Sequence, residues 1–173
     1  GKGLDWGGAL VRTEATGYGT TFFAQEMLKV RGQSLDGQTV VISGAGNVAI
    51  YAIEKVQKMG GHVVSCSDSS GYVYDPKGID LGLLKQIKEV ERGRVSEYAT
   101  RRGGEAKFVS GSSVWQIPCT VALPAATQNE LNADDAKARK RAAMQECSRQ
   151  RAERDRAEQH ERNRRREETV ERV

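Results

Sequence analysis

Apolar and polar positions along the 173-residue chain switch repeatedly between helical and strand-like spacing. Residues 1 to 12 are glycine-rich and set no period. From about Thr16 to Val30, "TGYGTTFFAQEMLKV" carries Tyr18, Phe22, Phe23, Met27 and Leu28 at helical spacing, with Gly32 placed to end the helix. After the turn "GQSLDGQ", a β-branched run predicts a strand at 39 to 43. The glycine-rich "GAGNVA" follows, then a helix over about 48 to 58 closed by Gly60-Gly61. "HVVSCSD" (62 to 68) predicts a second strand, and "SSGYVYDPKG" a loop and turn. Asp80 is placed to cap a helix over 81 to 91, with a further short helix near 96 to 102. "AKFV" (106 to 109) predicts a third strand. "CTVALPAA" (119 to 126) predicts a fourth, apolar almost without alternation, as in a strand covered on both faces.

Strands alternating with helices imply parallel pairing and right-handed crossovers, hence an α/β fold with a doubly wound parallel (Rossmann-like) sheet. In the strand order 3-2-1-4-5-6 this chain supplies strands 1 to 4. The sheet is therefore truncated, and its apolar fourth strand becomes an edge. That edge predicts a poorly soluble or self-associating chain. Residues 1–138 form the dinucleotide-binding domain on this reading, incomplete. Residues 139–173 are an arginine-rich charged tail, helical or disordered.

Charge separates the two parts. Residues 139 to 173 hold 12 Lys+Arg and 8 Asp+Glu, so the whole formal charge of +4 belongs to the tail. Glu-to-Arg pairs four apart, such as Glu158/Arg162, suit an exposed helix or an unstructured segment. Three origins compete: a shifted reading frame, a solvated charged helix, and an arm for RNA or DNA. The abrupt arginine enrichment favours the first. Interleaved acids and the lack of aromatic residues weigh against nucleic acid as a partner. Cys66, Cys119 and Cys147 lack metal-ligand or disulfide spacing, so no metal is expected. No apolar run approaches the ~18 residues of a membrane span, so no membrane partner is expected and the cytoplasm is the default.

The candidate chemistry lies in the first 138 residues. Gly44, Gly46, Asn47, Val48 and Ala49 sit between a predicted strand and a predicted helix. Gly44 permits a tight turn, Gly46 allows backbone to approach a pyrophosphate, and the helix start supplies N–H groups. The competing reading is a glycine turn with no ligand. Asp68, at the end of the second strand, is placed to accept a ribose 2′-hydroxyl, which favours NAD. Ser69 and Ser70 follow it, and Lys88, Arg92 and Arg94 lie on the next helix and its exit. Such a set suits a 2′-phosphate or forms an ordinary solvated face. Ala126, Thr127, Gln128 and Asn129 lie beyond the fourth strand, and Arg12 and Thr16 begin the first helix.

The stretches "KGLDWGGALVRTEATGYG", "SGAGNVAIYAIEKV", "SDSSG", "IKEVERGRVSEY" and "LPAATQNEL" together resemble the nucleotide-binding domain of the hexameric glutamate dehydrogenases. The resemblance covers about residues 2 to 138. It implies oxidative deamination of L-glutamate to 2-oxoglutarate and ammonia, with a hydride passed to a nicotinamide cofactor. It implies a homo-oligomer, a hexamer. Thr16 and Asn47 match positions that contact the dinucleotide, Arg12 is a substrate-side candidate, and Ser69, Lys88, Arg92 and Arg94 fall where NADP-using members bind the 2′-phosphate. "SDSSG" is the wording of NADP-type members, so NADP is expected, with NAD as the alternative. The family's substrate-gripping lysines, catalytic lysine and assisting aspartate have no match here. The chain therefore brings no catalytic residue and is expected to be inactive alone. The other reading is a non-catalytic dinucleotide-binding module.

Overall fold

The β-branched run Thr39–Ile42 forms β1, and the chain then turns through Gly44 into helix α2 (Asn47–Lys58); helix α1 (Ala15–Lys29) precedes both. The computed structural model describes residues 3–8, 13–111, 113–138, 140, 141, 156 and 159. Arg12, Cys147 and most of the predicted tail lie outside the described residues. After α2 come β2 (His62–Val63), β3 (Ser65–Asp68) and β4 (Gly71–Tyr74). Helix α3 (Leu81–Lys85) widens into one π-helical turn, Gln86–Val90, and α4 (Ser96–Arg102) precedes β5 (Lys107–Ser110) and β6 (Val121–Leu123). The Asp80 cap is present, its carboxylate accepting from Leu83 N–H at 3.0 Å. No helix among the described residues is long and apolar enough to cross a membrane.

Two sheets share one strand path. β2-β1-β6 is parallel, with Val40 opposite both Val63 and Val121. β3-β4-β5 is antiparallel, with Cys66 opposite Val73 and Val73 opposite Phe108. Between β2 and β3, at Val64, the predicted second strand leaves the first sheet and enters the other. Serine hydroxyls carry the pairing with β1 across this break. Ser65 Oγ accepts from Ile42 N–H at 3.0 Å and donates to Ile42 O at 3.1 Å, while Ser67 Oγ accepts from Gly44 N–H at 2.8 Å.

Three expectations need correction. The sheet is not wholly parallel: "GYVY" is strand β4, not loop, and it separates the predicted second and third strands. Two successive antiparallel pairings leave β5 running in the direction of β3, so the four predicted strands do share one direction. Nor do helices cover both faces. Val40, Ile42, Val63, Cys66 and Val73 join one core with residues from all four helices. The alternate residues Val41 and Val64 face a second cluster made with Val114, Trp115, Ile117 and Cys119. Among the described residues, that face is covered by the short 3₁₀ turn Val114–Gln116 instead of a helix.

The third correction concerns α1, whose extent matches the sequence pattern but whose buried face does not. Gly17, Thr21 and Ala24 face inward, while Phe23 and Met27 are exposed. A Cβ on Gly17 would stand 2.6 Å from the backbone of Val48 and of Ala52, so α1 meets α2 through small residues. Glu54 ties the same helices to α3, accepting from Tyr18, Lys58 and Lys85, each at 2.6 Å. Those bonds, led by Lys58, hold its carboxyl down from 4.5 to about 2 against the opposing cost of burial. A depressed acid stabilises the fold above its unfolded pKa and loses that contribution as pH falls through the folded value. The melting deficit of Glu54→Gln is therefore expected to be full at pH 6 and to vanish as pH falls from 4.5 to about 2; a deficit that persists at the acid end refutes the assignment.

β6 is an edge of the parallel sheet, as the strand order requires, and it pairs on its far side with no strand among the described residues. Val121 packs on the first cluster and Ala122 on the second, and no charge lies between Ile117 and Gln128. The chain is expected to self-associate through this edge, because apolar unprotected strands recruit partners. Sedimentation should show the association relieved by Thr120→Lys at the exposed strand entrance. A monomeric wild type with slow amide exchange at Val121 to Leu123 would refute it.

Candidate functional site

β1 pairs with β2 on one side and β6 on the other, and all three run parallel, so the chain reverses its winding direction at β1. A crevice opens at such a point because the loops leaving neighbouring strands diverge. Here a cleft of about 670 Å³ is lined by Gly44 to Val48 beyond β1, Ser67 to Ser69 at the end of β3, Lys88, and Ala125 to Thr127 with Glu130 beyond β6. A second groove of about 450 Å³ continues from Val48 and Ala126 past Thr16, Thr20, Gln128 and Asn129. The two share Val48, Ala125 to Thr127 and Glu130 and form one elongated trough, of the size range that holds small molecules and cofactors.

The local folding follows from three devices. Gly44 has φ +85°, and a Cβ there would lie 2.8 Å from Ala125 O, so this position closes the turn against the β6 loop. Ser43, buried at the end of β1, accepts from Ala125 N–H at 2.9 Å and fixes the two sides of the cleft relative to each other. Glu130 accepts from Ala126 N–H at 3.1 Å, curling the 126–130 loop with Asn129 at φ +58°.

Gly46 differs from Gly44. Its backbone is ordinary extended chain (φ −92°, ψ −171°), and a Cβ would meet nothing within 4 Å. Neither backbone strain nor a protein neighbour requires glycine here; the missing side chain keeps the cleft open in front of α2. No side chain caps α2, so its first N–H groups face that space with the positive end of the helix dipole. A pyrophosphate fits this arrangement, and the cradle that a Gly46 Cβ would fill is the observation supporting a dinucleotide.

The polar rim is divided. Arg94 Nη1 donates to Ser69 Oγ at 2.8 Å, and both are exposed. Lys88 Nζ donates to Gly93 O at 2.8 Å and stands 3.5 Å from Asp68 Oδ2. Arg92 is exposed at φ +55°; neither it nor Arg94 lines the cleft, but Arg94 is joined to the rim through Ser69. Asp68, read from sequence as a ribose acceptor, is engaged by the protein itself through Ser70 and Val95 N–H. Burial raises its carboxyl, but the Ser70 and Val95 bonds and Lys88 leave it below the usual range. Thr16, Thr127, Gln128 and Asn129 all reach the second groove. The sequence reading missed Ser43, Ser67 and Glu130; only the serines in "HVVSCSD" gave a signal, as polar residues inside an otherwise buried strand. Among the described residues there is no cluster of His, Cys, Asp or Glu placed to hold a metal.

A cleft beside a glycine turn, at a reversal of winding, is where ligands bind in open α/β sheets. Residues 7–148 match the family described as Glutamate/Leucine/Phenylalanine/Valine dehydrogenase, and the chain belongs to that family. The NAD(P)-specific glutamate dehydrogenase of Xylanibacter ruminicola is 51% identical over 140 residues, which cover 79% of this chain and 31% of that protein. The NADP-specific glutamate dehydrogenase of Helicobacter pylori (strain 26695) is 52% identical over 144 residues, covering 79% and 32%. The crystal structure of Plasmodium falciparum glutamate dehydrogenase superposes with a TM-score of 0.75 at 41% identity, covering 82% of this chain and 31% of that one. The chain thus spans about a third of the length of the relatives it matches.

Proposed function

We propose that this chain is the dinucleotide-binding part of an NADP-preferring glutamate dehydrogenase, a homo-hexamer when complete, that deaminates L-glutamate oxidatively to 2-oxoglutarate and ammonia. The bare Gly46 before the uncapped start of α2 carries the reading. The bound nicotinamide supplies the hydride acceptor. The chain's own residues bind and orient it. Gly46 and the first N–H groups of α2 hold the pyrophosphate, Ser69, Lys88 and Arg94 receive the 2′-phosphate, and Thr16, Thr127 and Asn129 border the nicotinamide half. In this proposal neither the general acid and base nor the substrate-side residues come from this chain. Residues 1–138 form the binding unit and 139–173 the charged tail, although the family match runs past the composition change at Arg139.

Fluorescence titration with NADPH and NADH tests the cofactor preference. The wild-type chain is expected to favour NADPH, and Arg94→Ala to narrow the gap by about tenfold, since a charge-assisted contact is worth ~1.5–3 kcal/mol. Equal wild-type affinities overturn the NADP assignment. Glutamate-dependent NADP reduction by the chain alone overturns the placement of the catalytic groups elsewhere.

A further inference from the structure

The acid at the end of β3 is already engaged by the protein itself. Asp68 Oδ1 accepts from Ser70 N–H at 2.8 Å and from the Ser70 hydroxyl. Its Oδ2 accepts from Val95 N–H at 3.0 Å and faces Lys88 Nζ at 3.5 Å. A carboxylate offers about four lone-pair sites; three are taken by hydrogen bonds within this chain, and the Lys88 ammonium faces the carboxylate as an ion pair. The side chain is only 12% exposed.

Those donors come from three separate stretches, and two of them, Val95 N–H and Lys88, tie the segment between the π-helical turn and α4 to Asp68. Gly93 N–H returns to Ile87 O at 2.8 Å, Gly93 O accepts from Lys88, and Arg94 N–H donates to Glu97 Oε1 at 3.2 Å. Asp68 supplies the bond, through Val95, that docks this segment on the sheet. With Val95 held, the neighbouring Arg94 lies on Ser69. Among the described residues, the other hydrogen bond that joins residues 91 to 95 to β3 or its turn is the Arg94–Ser69 contact itself.

We propose that Asp68 is a positioning residue for the 2′-phosphate site and not a ligand of the ribose: it fastens the 91–95 segment to the end of β3 and so sets Arg94 and Lys88 at the rim. The proposal rests on the reading of the cleft as an NADP site. It reverses the usual meaning of an acid at this place, where a carboxylate accepts the 2′-hydroxyl and selects NAD.

The two roles predict opposite signs in nucleotide titrations of the full chain. As a positioning residue, Asp68→Ala weakens NADPH by about tenfold and leaves NADH within about twofold. Asp68→Asn falls between, because its amide oxygen keeps one of the acceptor positions, and it serves as the test if the alanine variant does not fold. Hydrogen exchange gives a readout free of cofactor: the Val95 amide is protected in the wild type and exchanges faster in both variants. A selective loss of NADH, or tighter NADPH once the negative charge is gone, overturns the proposal in favour of a ribose ligand. Equal losses for both nucleotides also overturn it, as the mark of general destabilisation. A wild-type chain that binds neither nucleotide while its Val95 amide is protected overturns the reading of the cleft, and the 2′-phosphate role with it.

Discussion

Gly46→Val is expected to abolish dinucleotide binding in a chain that melts where the wild type melts, whereas Gly44→Val is expected to unfold it. The two glycines lie two residues apart and are constrained by different things. At Gly46 the backbone is extended and a Cβ meets nothing within 4 Å, so valine costs the fold little. Its methyls would occupy the space in front of the first N–H groups of α2. Displacing a phosphate from two charge-assisted contacts there costs about 3 kcal/mol, or roughly a hundredfold in affinity. At Gly44, φ is +85°, which costs an L side chain ~1–2 kcal/mol before any contact is counted. The new Cβ would also press on Ala125 O from 2.8 Å and separate the loops that Ser43 joins. NADPH titration and thermal melting of both variants check the pair. A Gly46→Val chain that binds NADPH as tightly as wild type would remove the phosphate from the head of α2.

What the sequence disclosed and what it hid follow from the range of the forces involved. Strand β1, its glycine turn and α2 were legible because each is specified locally: a β-branched run, a turn residue, an amphipathic period. Asp80 likewise signals its own helix with its own side chain. Strand β4 was not legible. "GYVY" has four residues between a serine turn and Asp75-Pro76, which reads as loop chemistry, and one of its partners, Lys107–Ser110, comes from a distant part of the chain. The buried face of α1 was hidden for another reason. Large apolar residues dominate a helical pattern, yet here close approach to α2 selects Gly17, Thr21 and Ala24 and leaves Phe23 and Met27 outside. At the site, residue types suggested Ser69, Lys88, Arg92 and Arg94, but only the fold shows that Arg94 is the arginine lying on Ser69 and that Asp68 is hydrogen-bonded by its neighbours. Ser43 and Glu130 act through backbone N–H groups, and a sequence carries no mark of which amide a side chain will meet.

The second sheet face carries the other large effect. A doubly wound sheet would cover Val41 and Val64 with a helix; here Trp115, 2% exposed, supplies the largest side chain over them. It is held there by a short turn in which its own N–H donates to Ser113 Oγ at 3.4 Å. Trp115→Ala should cost about 3–5 kcal/mol, the usual range for deleting a buried aromatic ring, a large share of the ~5–15 kcal/mol of a whole domain. For a chain of this size that lowers the melting temperature by about 6 to 20 °C. Trp6, the chain's other tryptophan, is 80% exposed and gives an internal control: the same deletion there should move stability by no more than about 0.5 kcal/mol. The two tryptophans also differ in emission, and a Trp6→Phe background isolates the buried one. Losing Trp115 should loosen β1 and β6 together, since Val41 and its partner Ala122 both rest on this cluster and the Ser43–Ala125 bond of the cleft lies just beyond them. NADPH binding should therefore weaken in Trp115→Ala even below its melting range, and stay intact in Trp6→Ala. Equal melting losses for the two deletions would mean that Trp115 does not cover this face.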